Sequence, residues 1–346
     1  MNVFSHGGDI YGLDKDVIDF SASVNPLGMP EAAKRAAVRS VGDCGRYPDP
    51  RCRELKAALS AFHGVPPEWL TCGGGAAELI YKIALGLRPG RALLPAPAFS
   101  EYERALELSG CRITRHFLKP ENGFGLTDEI LPEIRPGLDL VFLANPNNPT
   151  GAVARRPLML SLAERCREAG AILAVDECFT DFLEDYEDVT LLKYVPDFRN
   201  VIIIKAFTKF YAMAGLRLGY AICADAALNG RIDSALQPWG VSTVASKCGI
   251  AALSDADYVH RTRTVIARGR RKLSRQLIGL GFTVYDSRAN FIFFKSDDTE
   301  LGKKLLRRGV LIRDCADFPG LGGGFYRVAV RGQADNDYLI ECMKGL

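Results

Sequence analysis

Apolar residues in this chain follow two rhythms. In four segments, roughly Pro30 to Val41, Arg51 to Phe62, Ala76 to Leu87 and Phe99 to Ser109, they recur at helical spacing. Each segment is entered or left through Gly, Pro or Ser, which predicts helices. Short unbroken apolar runs lie between and beyond them: Arg91–Leu94, Leu138–Leu143, Ala171–Val175, Asn200–Ile204 and Leu218–Ile222. Such runs do not alternate with polar residues, so they predict strands buried on both faces, as in a mostly parallel central sheet flanked by helices. The expected class is α/β. After Gly240 the texture changes to a basic helical stretch, Ser246–Leu280, interrupted by Ser254–Asp257. Four further runs follow, Phe282–Tyr285, Asn290–Phe294, Val310–Arg313 and Phe325–Val330. They predict a smaller α/β second lobe, with the boundary between Thr243 and Asp255. No repeat or low-complexity linker divides the chain.

Bulk properties narrow the function without naming it. The 346 residues are 48% hydrophobic and 25% charged, ordinary for a globular protein and enough for one large core and a smaller lobe. With 44 basic against 41 acidic residues, the net charge of +3 gives no field to draw nucleic acid or a membrane surface. The basic run Arg268–Lys272 falls in a helical pattern and reads as a solvated face. Ten cysteines show no CxxC and four histidines show no ligand spacing, which points to reduced thiols, no metal centre and a cytoplasmic protein. The start, Met1–Gly8, has no basic segment followed by an apolar core, so no signal peptide is expected. No apolar run approaches the ~18 residues of a membrane span.

The strand run ending at Ile204 leads into Lys205–Tyr220, where Lys209 precedes Arg217 by eight residues and glycines flank the arginine. An amine that can form a Schiff base and a guanidinium that can hold a phosphate, on one short loop, are what pyridoxal 5'-phosphate requires. By themselves a lysine and an arginine this close are ordinary surface residues. Ligands in α/β folds gather at the carboxyl ends of strands, and two further segments fall there. Asn145–Gly151 follows one run as a rigid turn whose Asn148 can present an amide to a phenolic oxygen, with a plain turn as the alternative. Asp176 ends another run, where a carboxylate needs a cation such as a protonated pyridine nitrogen; a helix N-cap is the alternative. Cys72–Ile80 is a glycine-rich turn opening a helix, which offers free N–H groups to a phosphate, although glycine before a helix is also common punctuation. Pro97–Tyr102 brings in Phe99 and Tyr102, which can stack on a ring or form the core side of a helix.

Taken in order, GGGAAE, PAFSEY, NPNNPTG, VDECF, TKFYAMAGLRLGY and SRANF resemble the fold-type-I pyridoxal-phosphate enzymes over essentially the whole chain. The resemblance implies the PLP-dependent transferase fold type I, with a large domain over 41–245 and a small domain built from 1–40 and 246–346. It implies that Lys209 carries the cofactor and Asp176 holds its pyridinium, the two catalytic groups. Asn148 then binds the phenolic oxygen and Phe99 stacks on the ring. Arg217, Thr208 and the backbone at Gly75, Ala76 and Ala77 hold the phosphate. Tyr47 resembles the tyrosine that reaches the phosphate of a neighbouring subunit, which implies a homodimer. Ala206 departs from the pattern, because relatives usually carry a hydroxyl there.

Two branches of that superfamily share nearly all these residues: the histidinol-phosphate aminotransferases and the L-threonine-O-3-phosphate decarboxylases of cobalamin synthesis. His6–Asp9, Asp19–Gly28 and Thr208–Tyr211 resemble the decarboxylases, as does Phe179, where the aminotransferases generally carry a tyrosine. The same likeness assigns Arg327 to the substrate's acidic group and Arg313 to its distal phosphate. It adds Asn25 and His6 to the phosphate pocket, and Arg331 as a further cation. The implied partner is a small phosphorylated amino-acid substrate. Decarboxylation is the leading expectation and transamination of histidinol phosphate with 2-oxoglutarate the alternative. A third reading, the cofactor-binding domain of the aminotransferase-like transcription factors, predicts an N-terminal DNA-binding extension.

Overall fold

The computed structural model describes residues 6–14, 16–235 and 237–346; Met1–Ser5, part of the stretch read for a signal peptide, lie outside the described residues. In chain order the elements are β1 (Ile18–Asp19), α1 (Glu31–Ser40), α2 (Arg53–His63), β2 (Leu70–Gly73), α3 (Gly75–Leu87), β3 (Arg91–Ala96), α4 (Ser100–Leu108), β4 (Arg112–Phe117), β5 (Leu140–Ala144) and α5 (Arg156–Ala169). Next come β6 (Ile172–Asp176), α6 (Tyr186–Val189), β7 (Val201–Ala206), α7 (Phe207–Phe210), β8 (Gly219–Ile222), α8 (Ala226–Asp233), α9 (Thr243–Leu253) and α10 (Ala256–Gly279). The chain ends with β9 (Thr283–Val284), β10 (Phe291–Lys295), α11 (Leu301–Leu306), β11 (Val310–Leu311), β12 (Arg313–Asp314), β13 (Phe325–Ala329) and α12 (Gln333–Lys344).

Among the described residues the large sheet has seven strands in the order β2-β8-β7-β6-β5-β3-β4, all parallel except β8, which runs against both neighbours. Its central strands are buried and almost wholly apolar because both faces are covered; Asp176 at the end of β6 and Lys205 in β7 are the charged exceptions. Leu140, Phe142 and Ala144 of β5 turn to a core shared with α3 and α4, whereas Val141 and Leu143 turn to one shared with α2, α5 and α9. The same parity separates Ala174 from Leu173 and Val175 in β6, and Ile202 and Ile204 from Val201 and Ile203 in β7.

A separate four-stranded antiparallel sheet, β12-β13-β10-β9, forms the smaller lobe. The long helical stretch divides where the polar break stood: Asp255 accepts the Tyr258 N–H at 2.9 Å and caps α10. Near the N-terminus β1 pairs in parallel with β11, Ile18 opposite Val310, and α1 packs along α9. No described helix is long and apolar enough to cross a membrane.

Topology places four chain segments at one edge. β7, β6, β5 and β3 are adjacent and parallel, so Ala206, Asp176, Ala144 and Ala96 end on the same side. β2 points the same way because β8 lies reversed between it and β7. β8 therefore begins at that edge, two residues after Arg217.

Candidate active site

Lys209 sits on α7, the single helical turn that follows β7. Its amine is enclosed, and burial, followed by the positive charges of Arg327 and Arg217, pulls its pKa from 10.5 down to about 8. Lys205, four residues earlier, meets the opposite fate. It is 1% exposed and pairs with Asp181 at 2.9 Å and Glu177 at 3.5 Å. Burial pulls against its charge, but Asp181, Tyr186 and Glu177 together outweigh that and hold it protonated. Only one of the two lysines is thus prepared to act as a nucleophile.

Asp176 closes β6 with both oxygens engaged: Oδ1 accepts the Cys178 N–H at 2.9 Å and Oδ2 accepts the Tyr102 hydroxyl at 2.7 Å. No helix begins at Asp176, so the N-cap alternative does not hold: the first bond only closes a turn, and Asp176 lines the cavity with Lys209. Phe99 and Tyr102 both line the cavity, and Tyr102 is also buried in the core, stacked on Phe142 with centroids 4.4 Å apart.

Across the cavity Arg327 is buried on β13 and register-paired with Arg313 on β12. Its Nη1 donates to Asn148 Oδ1 and its Nη2 to the Ser21 carbonyl at 2.8 Å. Nε is buried without a hydrogen-bond partner among the described residues. Burial pulls this guanidinium down to about 10. A buried, incompletely satisfied cation of this kind is completed by an anion. Arg313 also lines the cavity, gripping Asp317 through Nη2 at 2.7 and 2.9 Å over the face of Phe318.

The cavity measures about 440 Å³. Besides the residues above, Ala76, Ala77, Thr208, Arg217 and His6 line it. Gly75 stands behind, at φ +89°; a Cβ there would lie 2.8 Å from Arg217 Nη2. Gly219 likewise has no room for a Cβ, which would lie 2.8 Å from the Gly75 carbonyl carbon. These glycines let the N-terminus of α3 and the Arg217 guanidinium face one space, a cradle of N–H groups and positive charge suited to a phosphate. The residues present thus fit pyridoxal phosphate: a neutralisable amine, a carboxylate, an aromatic face and a phosphate cradle around one cavity.

Besides Gly75, three expected residues are not brought to the cavity wall. Asn25 is buried with its amide donating to the Phe210 carbonyl, the Tyr258 hydroxyl and the Thr262 hydroxyl, all within 2.9 Å, so it braces the lysine loop instead of reaching substrate. Arg331 binds Asp335 at 2.9 Å and the Asp19 carbonyl at 2.9 Å, tying α12 to β1. Tyr47 is 81% exposed and rests on Trp239, with ring centroids 4.8 Å apart. Sequence reasoning passed over Glu101, Tyr81, Ser21 and Cys178, although Glu101 lies inside a quoted motif. Among the described residues no cluster of three or more side chains could hold a metal ion.

The chain belongs to the aminotransferase class I and II family, which matches residues 15–343. It is a pyridoxal-phosphate-dependent enzyme of fold type I. Among its relatives is a threonine-phosphate decarboxylase of Salmonella typhimurium, 38% identical over 99% of this chain and 96% of the relative. A histidinol-phosphate aminotransferase of Archaeoglobus fulgidus is 33% identical over 96% and 93% of the two chains. Among solved structures, the histidinol-phosphate aminotransferase from Clostridium acetobutylicum superposes with a TM-score of 0.88 at 26% identity, covering 94% of this chain and 98% of that one. The L-threonine-O-3-phosphate decarboxylase from Porphyromonas gingivalis shares the fold, with a TM-score of 0.84 at 23% identity over 94% and 98%.

Proposed function

We propose that this enzyme decarboxylates L-threonine O-3-phosphate to (R)-1-amino-2-propanol O-2-phosphate. The observation that carries the reading is the cross-strand pair Arg327 and Arg313 facing Lys209 in one small cavity. Two guanidiniums side by side suit a ligand with two anionic groups on a short carbon chain, one carboxylate and one phosphate. The relative that is 38% identical over nearly the whole chain supports the same choice.

Bound here, pyridoxal phosphate would supply an electron sink for a bond broken at the substrate's α carbon. The protein's part is to hold and orient. Arg217, Thr208 and the α3 N-terminus would take the cofactor phosphate, Asp176 would pair with the ring nitrogen, Asn148 would bind the phenolic oxygen, and Phe99 would cover the ring. Tyr47 belongs to the site of a second subunit in a cytoplasmic homodimer. Arg327 already commits one N–H of each terminal nitrogen to Asn148 and Ser21. The second N–H of each terminal nitrogen is left for the substrate carboxylate, a light grip from which carbon dioxide can depart. Phe179, packed edge-on against Phe291 at 5.1 Å, brings no hydroxyl to this region. As carbon dioxide leaves, the Lys209 ammonium delivers a proton to the α carbon in the place of the lost carboxyl group and is itself reprotonated from water.

Holoenzyme offered L-threonine O-3-phosphate, and separately histidinol phosphate with 2-oxoglutarate, tests this reading. Carbon dioxide from the first is the expected result. Glutamate from the second without carbon dioxide from the first would assign the chain to transamination.

A further inference from the structure

Glu101 is a buried carboxylate in the cavity wall that the proposed reaction does not use. It lies in the first turn of α4, 8% exposed, among three neighbours. His6 Nε2 lies 2.9 Å from Oε1, the Tyr81 hydroxyl of α3 donates to Oε2 at 2.7 Å, and the Arg104 guanidinium stands 3.9 Å away. Left bare, this carboxylate would repel an anionic substrate from the wall it occupies.

We propose that Glu101 is a positioning residue that orients the His6 imidazole as a donor to the distal phosphate of the substrate, and so sets the preference for phosphorylated ligands. The inference rests on the reading that the substrate is phosphorylated. Glu101 occupies Nε2, so Nδ1 is the nitrogen His6 has left for a ligand. For both nitrogens to donate, the ring must be an imidazolium, and Glu101 supplies its counter-charge. Tyr81 fixes the carboxylate from its other oxygen. The Phe99 ring, 5.6 Å from the imidazole, lies on the same side of the cavity, and Arg313 lines it as a second cation. The chain after His6 is tied down as well: the Gly8 N–H donates to Ser21 Oγ at 2.8 Å, and Ser21 Oγ donates to Asp19 at 2.6 Å. A carboxylate in an anion-binding wall is thus turned from an obstacle into the part that aims a phosphate donor.

The test compares binding of 1-amino-2-propanol O-2-phosphate with 1-amino-2-propanol, neither of which has a carboxylate to lose, by the change each makes in the visible absorbance of the holoenzyme. Wild type, Glu101→Gln, His6→Ala and the double variant form a cycle. Glu101→Gln and His6→Ala should each lower the preference for the phosphorylated amine by about tenfold or more, the value of one charge-assisted hydrogen bond. The double variant should be no worse than His6→Ala, and cofactor content should be unchanged throughout. Tyr81→Phe, which loosens the carboxylate from its other side, is a second arm and should lower the preference in the same direction. Full preference in Glu101→Gln, or losses that multiply in the double variant, would overturn the positioning role. A wild type that binds both amines equally would overturn the phosphorylated-substrate reading itself, and this inference with it.

Discussion

The preparation of Lys209 as a nucleophile can be measured without any substrate. Burial, with Arg327 and Arg217 adding to it, holds its amine at about 8 instead of 10.5. At pH 7 such an amine is ~10% neutral where an ordinary lysine is about 0.03% neutral, so its supply of nucleophile is ~300-fold larger. The same displacement has a cost in the cofactor-free chain. Below pH 8 both folded and unfolded chains carry the proton and the folded state bears the whole penalty, up to about 3 kcal/mol and less where the open cavity admits water. As pH rises from about 8 to 10.5 the penalty disappears, because the folded lysine is neutral while the unfolded one is still charged. Trace acetylation of the apoenzyme across pH 6–11, read lysine by lysine by mass spectrometry, should give Lys209 a midpoint near 8. Lys205 should stay protected throughout. Lys209→Met should raise apoenzyme stability near pH 7, with the gain fading by pH 10.5. A Lys209 midpoint at the ordinary lysine value would refute the reasoning, because the geometry would then not have prepared the amine.

Two substitutions test the surroundings of that amine. Lys205→Met leaves the Glu177 and Asp181 carboxylates without their shared cation and should cost about 3–5 kcal/mol in thermal or denaturant unfolding. The folded variant should still take up pyridoxal phosphate; loss of cofactor with stability intact would mean that Lys205 had been assigned the wrong task. Gly75→Ala places a methyl 2.8 Å from Arg217 Nη2 in a backbone conformation that alanine resists. Cofactor Kd, titrated into apoenzyme by absorbance, should rise about 10- to 100-fold for the loss of one charge-assisted bond. An unchanged Kd would show that Arg217 does not work through this cradle.

The central strands were legible because burial on both faces leaves an unbroken apolar run, and β5, β6 and β7 fall where those runs stood. β2 and β4 were not, for different reasons. β2 is broken by the hydroxyl of Thr71 and by Gly73, and β4 is mostly exposed; both lie at sheet edges and neither produces a long apolar run. α5 also went unmarked. The loop chemistry was legible in part: Lys209, Asp176, Asn148 and Arg217 could be named because each stands at a strand end or in a quoted motif. Direction was not legible. Nothing in the sequence says that the Asn25 amide turns to Tyr258 and Thr262, or that Arg331 turns to Asp335, because those choices depend on elements more than 200 residues away or on the packing of α12. Glu101 shows the converse: a helix-start glutamate looks like a solvated residue until packing places Tyr81 and His6 on it.

The central claim is that this cavity releases the substrate's carboxylate and keeps its amine. L-threonine O-3-phosphate labelled with ¹³C at the carboxyl carbon, incubated with holoenzyme and no oxo acid, should give labelled carbon dioxide and 1-amino-2-propanol O-2-phosphate in equal amounts by NMR. A substrate whose label stays in place, while 2-oxoglutarate is converted to glutamate once histidinol phosphate is added, would contradict the account.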